Sequence, residues 1–262
     1  MCSLLIIKLG GSAISDKNVP KSVRFDVIRN VCNDIKRALE EDNYSFILIH
    51  GGGSFGHPLA KEYNLRSGLV HPKARIGFSK TLDAMRELSM IVSNELRNHG
   101  IPVFPIQPSA ITIMKSGSIL KMNIDVVKLA LKKGFIPLLW GDVSLDPEKG
   151  CDIVSGDYII EFLARELRPD KVIFGTDVEG IYRDPKDPTS LIPLIDERNL
   201  SDVRKFLKNT QKIDVTGGMI EKLNSIVRIS KLGVLVQVIS LLSSGNVYRA
   251  IKGEKIGTIV RI

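Results

Sequence analysis

The chain has 262 residues, 44% of them apolar and 25% charged, which is enough to bury a sizeable core as one large α/β domain or two lobes. No apolar run approaches the roughly 18 residues of a membrane-spanning helix, residues 4–7 ahead of Lys8 are too short for a secretory signal, and the three cysteines, Cys2, Cys32 and Cys151, lack metal spacing, so a cytoplasmic protein with free thiols is expected. The net charge of +8 could attract nucleic acid or phosphorylated small molecules, but the basic residues are dispersed and no aromatic–basic pattern accompanies them, so nucleic acid is not expected as the partner.

Residues 4–7 form the first apolar run of strand length, and it passes into Lys8-Leu9-Gly10-Gly11-Ser12. Apolar residues at three- and four-residue spacing predict a helix over 24–40. The run 46–49 enters His50-Gly51-Gly52-Gly53-Ser54-Phe55-Gly56-His57-Pro58. Three glycines remove every Cβ from one turn, so backbone N–H groups can press against a ligand. The helix expected next would add its positive end, which suits a phosphate. A long helix follows over 77–98, then a strand at 103–106 and a hairpin over 112–120 turning at Ser116-Gly117. The pattern continues with a helix at 124–133, a strand at 136–140 and a helix at 156–167. A lobe boundary is placed near Pro169. The strand 172–174 leads into Gly175-Thr176-Asp177, and the proline-rich stretch 183–193 reads as a surface loop. Helices at 199–208 and 217–232, a strand at 234–239, a helix at 245–252 and a strand at 258–260 complete the chain. Nearly continuous apolar strands alternating with helices predict a three-layer α/β/α sandwich around a mostly parallel sheet, with the hairpin as an insertion.

Ligands in such sheets bind beyond the carboxyl ends of the strands. Lys8 is either a snorkelling strand-end lysine or a phosphate ligand, and Gly10-Gly11-Ser12 behind it favours the second. The segment lacks Walker A spacing. Thr216 reads as a helix N-cap, with Gly217 and Gly218 behind it. Lys222, four residues after Gly218, is either a helix-surface lysine or leans back toward those amides so that the groups converge on one anion, and the Gly-Gly cap favours the second. Asp157 is an N-cap or an early-turn acid of its helix. By residue type alone, Lys17 is a solvated charge and Asp177 a turn aspartate. His50, His71 and His99 read as structural or surface residues. No cluster has zinc spacing.

Lys8-x-Gly10-Gly11-Ser12, Gly51-Gly52-Gly53, Thr176-Asp177-x-x-Gly180-Ile181-Tyr182 and Thr216-Gly217-Gly218-Met219-x-x-Lys222, in this order over nearly the whole chain, resemble the amino acid kinase superfamily. His57 after the glycine loop makes the chain most similar to the isopentenyl phosphate kinase group, with fosfomycin kinases as the nearest rival. The resemblance implies that ATP would be held by Lys8, Leu9, Gly10, Gly11, Ser12, Gly53, Asp177, Tyr182, Gly218 and Lys222. The substrate phosphate would lie on Gly52, His57 and Gly156. Lys17 would stabilise charge in the transition state and Asp157 would organise the lysines. It further implies isopentenyl phosphate as acceptor, Mg²⁺ carried by ATP, a mevalonate route and a homodimer. An apolar tail could meet Phe78, Leu82, Met85 and Met90 of the long helix. A non-catalytic ligand-binding module on the same fold is the alternative from outside the enzymes.

Overall fold

The computed structural model describes residues 3–16, 18–210 and 218–262, apart from the side chains of 208–210, Gly218 and Met219. Every apolar run anticipated above is a strand of one eight-stranded sheet. Its strands are β1 (Ser3–Leu9), β2 (Tyr44–His50), β3 (Val103–Pro105), β6 (Ile136–Trp140), β9 (Lys171–Thr176), β10 (Leu194–Ile195), β11 (Leu235–Ser240) and β12 (Thr258–Val260), in the order β10-β12-β11-β9-β1-β2-β6-β3. All neighbouring pairs run parallel except β11 with β12. Alternation along the strands divides the core. Leu5, Ile7, Phe46, Leu48 and Ile173 face one helical layer, while Ile6, Ile47, Ile49, Val172 and Phe174 face the other.

The first layer contains α2 (Phe25–Glu41), α4 (Ala74–Asn98) and α10 (Asn246–Ile251). The second contains α6 (Asp125–Lys132), α7 (Gly156–Leu167), α8 (Leu200–Thr210) and α9 (Gly218–Ser230). The short α1 (Gly11–Ile14) and α3 (Gly53–Glu62) follow β1 and β2 directly, and α5 (Pro108–Ile111) precedes the hairpin. The chain winds from β1 in one direction to β2, β6 and β3, and later in the other to β9, β11 and β12. The strand order therefore reverses at β1, where an open parallel sheet places its ligand crevice.

The expected hairpin is present as β4 (Thr112–Lys115) and β5 (Ser118–Met122). Ser116 and Gly117 both have positive φ, as a two-residue hairpin loop requires. A second hairpin, β7 (Asp142–Asp146) with β8 (Gly150–Val154), joins it in a four-stranded sheet of order β5-β4-β7-β8. The sequence reading missed that second hairpin, because its three aspartates suggest a loop. All three are buried and accept backbone N–H groups. Asp146 takes those of Ser116, Glu148 and Lys149, Asp152 takes that of Gly117, and Asp142 takes that of Ser109. Asp146 and Asp152 of the second hairpin thus hold the turn of the first, while Asp142 holds α5.

Candidate active site

The carboxyl ends of β9, β1, β2 and β6 are laced together by backbone. Gly10 N–H donates to Gly175 O, Gly51 N–H to Leu9 O and Gly141 N–H to His50 O, each at 2.9 Å. This lacing brings the two glycine loops into direct contact. A Cβ on Gly11 would lie 2.4 Å from Gly53 N, and one on Gly51 would lie 2.7 Å from Gly11 N. Gly53 adopts φ +47°, where a side chain is also strained. Glycines in this turn therefore let two loops touch each other. The sequence reading assigned them only to close approach by a ligand.

Lys8 is buried and ion-paired to Asp157 in the first turn of α7. Its ammonium lies 5.7 Å from the centroid of the Phe174 ring. Ser155, with its side chain accepting from Tyr158 N, is the N-cap of α7, so Asp157 is the early-turn acid. Gly156 lies against both neighbours, since a Cβ there would crowd Ile49 Cγ2 at 3.1 Å and reach ordinary contact with Lys8 Cε at 3.7 Å. Lys8, Gly156 and Asp157 therefore meet at one point from two elements distant in sequence.

His57 stands exposed within α3, beyond its first turn, rather than at the start of the helix. Its ring lies over Gly52, where a Cβ would stand 3.1 Å from His57 Cδ2. Pro58 follows inside the helix and lacks an N–H for Ser54 O. Lys21 N–H takes that carbonyl instead at 3.4 Å, and Ser54 Oγ donates to Ser22 O at 3.3 Å. The proline thus frees an acceptor that ties the glycine loop to Lys21, and the Ser54 hydroxyl adds the tie to Ser22. Met85 of α4 packs under this loop, with Sδ 2.6 Å from the place a Cβ on Gly56 would occupy. Phe78 and Leu82 join a small cluster with Leu65, Ala74, Val143 and Cys151. Met90 points into solvent, 60% exposed, and does not share that environment.

Asp177 follows β9, and Tyr182 bridges to Leu191 just beyond it. Lys222 lies on α9, which is fastened to α7: Arg228 donates to both Glu161 oxygens at 2.7 and 2.8 Å, and Ser225 Oγ donates to Glu161 Oε2 at 2.8 Å. Lys17, Thr216 and Gly217 lie outside the described residues. Glu161, Arg228 and Ser225 escaped the sequence reading, because their pairing joins helices 64 to 67 residues apart.

His50, read as structural or surface, is fully buried and stacked on Trp140 at 5.8 Å, with Nδ1 3.0 Å from Gly51 O. Burial lowers its pKa from 6.5 to about 4, so the neutral ring donates to Gly51. Asp142 behaves oppositely, because burial raises it from 3.8 to about 6 against the hydrogen bonds it accepts. Stability from neutral His50 is present above pH 6.5 and is lost as pH falls through 4. Stability from protonated Asp142 is full below pH 3.8 and is lost as pH rises through 6. The two windows overlap and offset each other. Asp142→Asn removes the second effect, so Tm should fall more steeply than in wild type as the solution is acidified from pH 6 to pH 4. Equal slopes would contradict this account. Burial also pushes the Cys32 thiol up to about 12 and Cys151 up to about 11, which makes both poor nucleophiles.

A strand-reversal crevice with a buried lysine, paired glycine loops and helix N-termini is chemically suited to an anion such as phosphate. The amino acid kinase family model matches residues 3–240, and the chain belongs to this family. It is 36% identical to the isopentenyl phosphate kinase of Methanocaldococcus jannaschii, and the match covers 97% of each chain. It is 33% identical to the isopentenyl phosphate kinase of Methanothermobacter thermautotrophicus, again over 97% of each. A crystal structure of an isopentenyl phosphate kinase superposes with a TM-score of 0.85 at 29% identity, covering 98% of this chain and 99% of that one.

Proposed function

We propose that the chain transfers the γ-phosphoryl group of ATP to isopentenyl phosphate, giving isopentenyl diphosphate and ADP. The observation that carries this reading is the backbone contact between Gly11 and Gly53, which sets two phosphate loops side by side at the ends of adjacent strands. The similarity to isopentenyl phosphate kinases over the whole length selects the acceptor. Nucleotide would lie on Lys8, Leu9, Gly10, Gly11, Ser12, Gly53, Asp177, Tyr182, Gly218 and Lys222, mainly in the half from about residue 169 onward together with the β1 loop. The acceptor phosphate would lie on Gly52, His57 and Gly156, in the half up to about residue 168.

An oxygen of the acceptor phosphate attacks the γ-phosphorus, one P–O bond forms, and the bond to the β-phosphate oxygen breaks. The acceptor is already anionic, so the chain need not supply a base. What it supplies is position and charge. Lys8, held by Asp157, would face the transferring group, Lys17 and Lys222 would add charge, and loop amide N–H groups would donate to the phosphate oxygens. Mg²⁺ would come chelated by the nucleotide and would offset phosphate charge, beside the Lys8 ammonium that Asp157 holds at the crevice. Met85 beneath the acceptor loop and the Phe78–Leu82 cluster beside it offer apolar surface for the tail. The setting would be a mevalonate route to isoprenoids in the cytoplasm, and the assembly a homodimer, which a solution mass twice that of the chain would support.

His57→Ala should raise the acceptor KM about 10- to 100-fold and leave the KM for ATP within about 3-fold, since one hydrogen bond to a charged phosphate is lost. His57→Gln should retain part of the activity, because an amide still donates. A folded His57→Ala protein with unchanged acceptor kinetics would remove the acceptor assignment.

A further inference from the structure

One fully buried hydroxyl joins the two glycine loops. Ser15, the residue after α1, is 0% exposed. Its Oγ donates to Gly11 O at 2.7 Å and accepts the N–H of Ser54 at 2.9 Å. Gly11 opens α1 at the end of the glycine loop after β1, and Ser54 lies in the first turn of α3 behind the glycine loop after β2. The same oxygen fills the space a Cβ on Gly53 would need, at 2.0 Å. A hydroxyl has one hydrogen to give and lone pairs to receive, and here each function is spent on a different loop. The neighbouring bonds extend the attachment: Asp16 N–H donates to Ser22 Oγ at 2.8 Å, and Ser54 Oγ donates to Ser22 O.

We propose that Ser15 is a positioning residue for phosphoryl transfer, whose hydroxyl clips the nucleotide loop to the acceptor loop and so fixes the separation of the two phosphates. This rests on the reading above, in which the first loop takes nucleotide and the second takes acceptor. Ser15 acts through Gly11 and Ser54. Each loop keeps its own amides without the clip, so each ligand still binds. In-line attack, however, requires the reacting atoms about 3–3.5 Å apart, and a misplacement of about 1 Å can cost roughly 100-fold in rate. With the acceptor out of line, water can attack the γ-phosphorus in its place, giving ADP and inorganic phosphate without diphosphate product.

The test compares full-length wild type, Ser15→Ala and Ser15→Cys with ATP and isopentenyl phosphate, measuring both KM values, diphosphate formed and ADP formed. For Ser15→Ala, transfer should fall about 10- to 100-fold with both KM values within about 3-fold. The ratio of ADP to diphosphate product should rise several-fold. Ser15→Cys, which keeps only weak hydrogen bonding, should fall between alanine and wild type, and it carries the test by itself if the alanine variant does not fold. A purely structural serine would reduce the amount of active protein, lowering transfer and hydrolysis together at a constant ratio. That result, or wild-type rates, overturns the proposal. If wild type ignores isopentenyl phosphate but uses another acceptor, the function proposed above fails, and the clip is read from the same ratio with that acceptor.

Discussion

Lys8→Met should lower kcat about 100- to 1,000-fold, the scale of removing one preorganised charge from a developing anion. The fold secures Lys8 firmly near the loops. It sits in the central strand, its backbone pairs with neighbours on both sides, and its ammonium meets Asp157 while its side chain stays 11% exposed. Methionine keeps the length and apolar stem but loses the charge. Asp157 would then be left without its partner at a side-chain exposure of 21%. Breaking a buried pair typically costs 3–5 kcal/mol, and partial hydration of Asp157 should reduce this to about 1–3 kcal/mol. Adding Asp157→Asn should recover most of that stability and none of the rate. Recovery of activity in the double variant would show that Lys8 matters only as Asp157's partner.

Gly11→Ala should be nearly as damaging for a different reason. The added Cβ would lie 2.4 Å from Gly53 N and 2.8 Å from Gly53 Cα. Both are backbone atoms, so no side chain can swing aside to make room. The loops must separate, at about 1–3 kcal/mol in stability and about 100-fold in transfer rate. Gly100→Ala makes a useful control. Nothing lies within 4 Å of a Cβ there, so the cost is confined to its φ of +77°. Stability should fall modestly with kcat unchanged. A Gly11→Ala enzyme with wild-type kcat would mean that the contact between the loops does not set the geometry of transfer.

These two sites differ in how openly the sequence declares them. Lys8 was legible because a charged residue closes an apolar strand and glycines follow it. Gly11 and Gly53 were legible as glycines, but their main contact is with each other, and that contact depends on β1 and β2 being neighbours. The sandwich and its helices could be read from periodicity because each core strand is apolar on both faces. The β7–β8 hairpin could not, since Asp142, Asp146 and Asp152 are buried against backbone N–H groups that belong to other segments. Ser15 gave no signal, because it lies in no patterned run and acts on a carbonyl and an amide beside the glycine loops. Met90, five residues after Met85, lies off the three- and four-residue stripe and falls on the solvent side of α4.

The most direct measurement of the central claim is the product formed from ATP when isopentenyl phosphate, dimethylallyl phosphate, fosfomycin, UMP, acetylglutamate and carbamate are each supplied to the purified chain. The account predicts isopentenyl diphosphate and ADP in equal amounts, with the highest kcat/KM of the panel on isopentenyl phosphate. Turnover of fosfomycin or another member, with no diphosphate formed from isopentenyl phosphate, would contradict it.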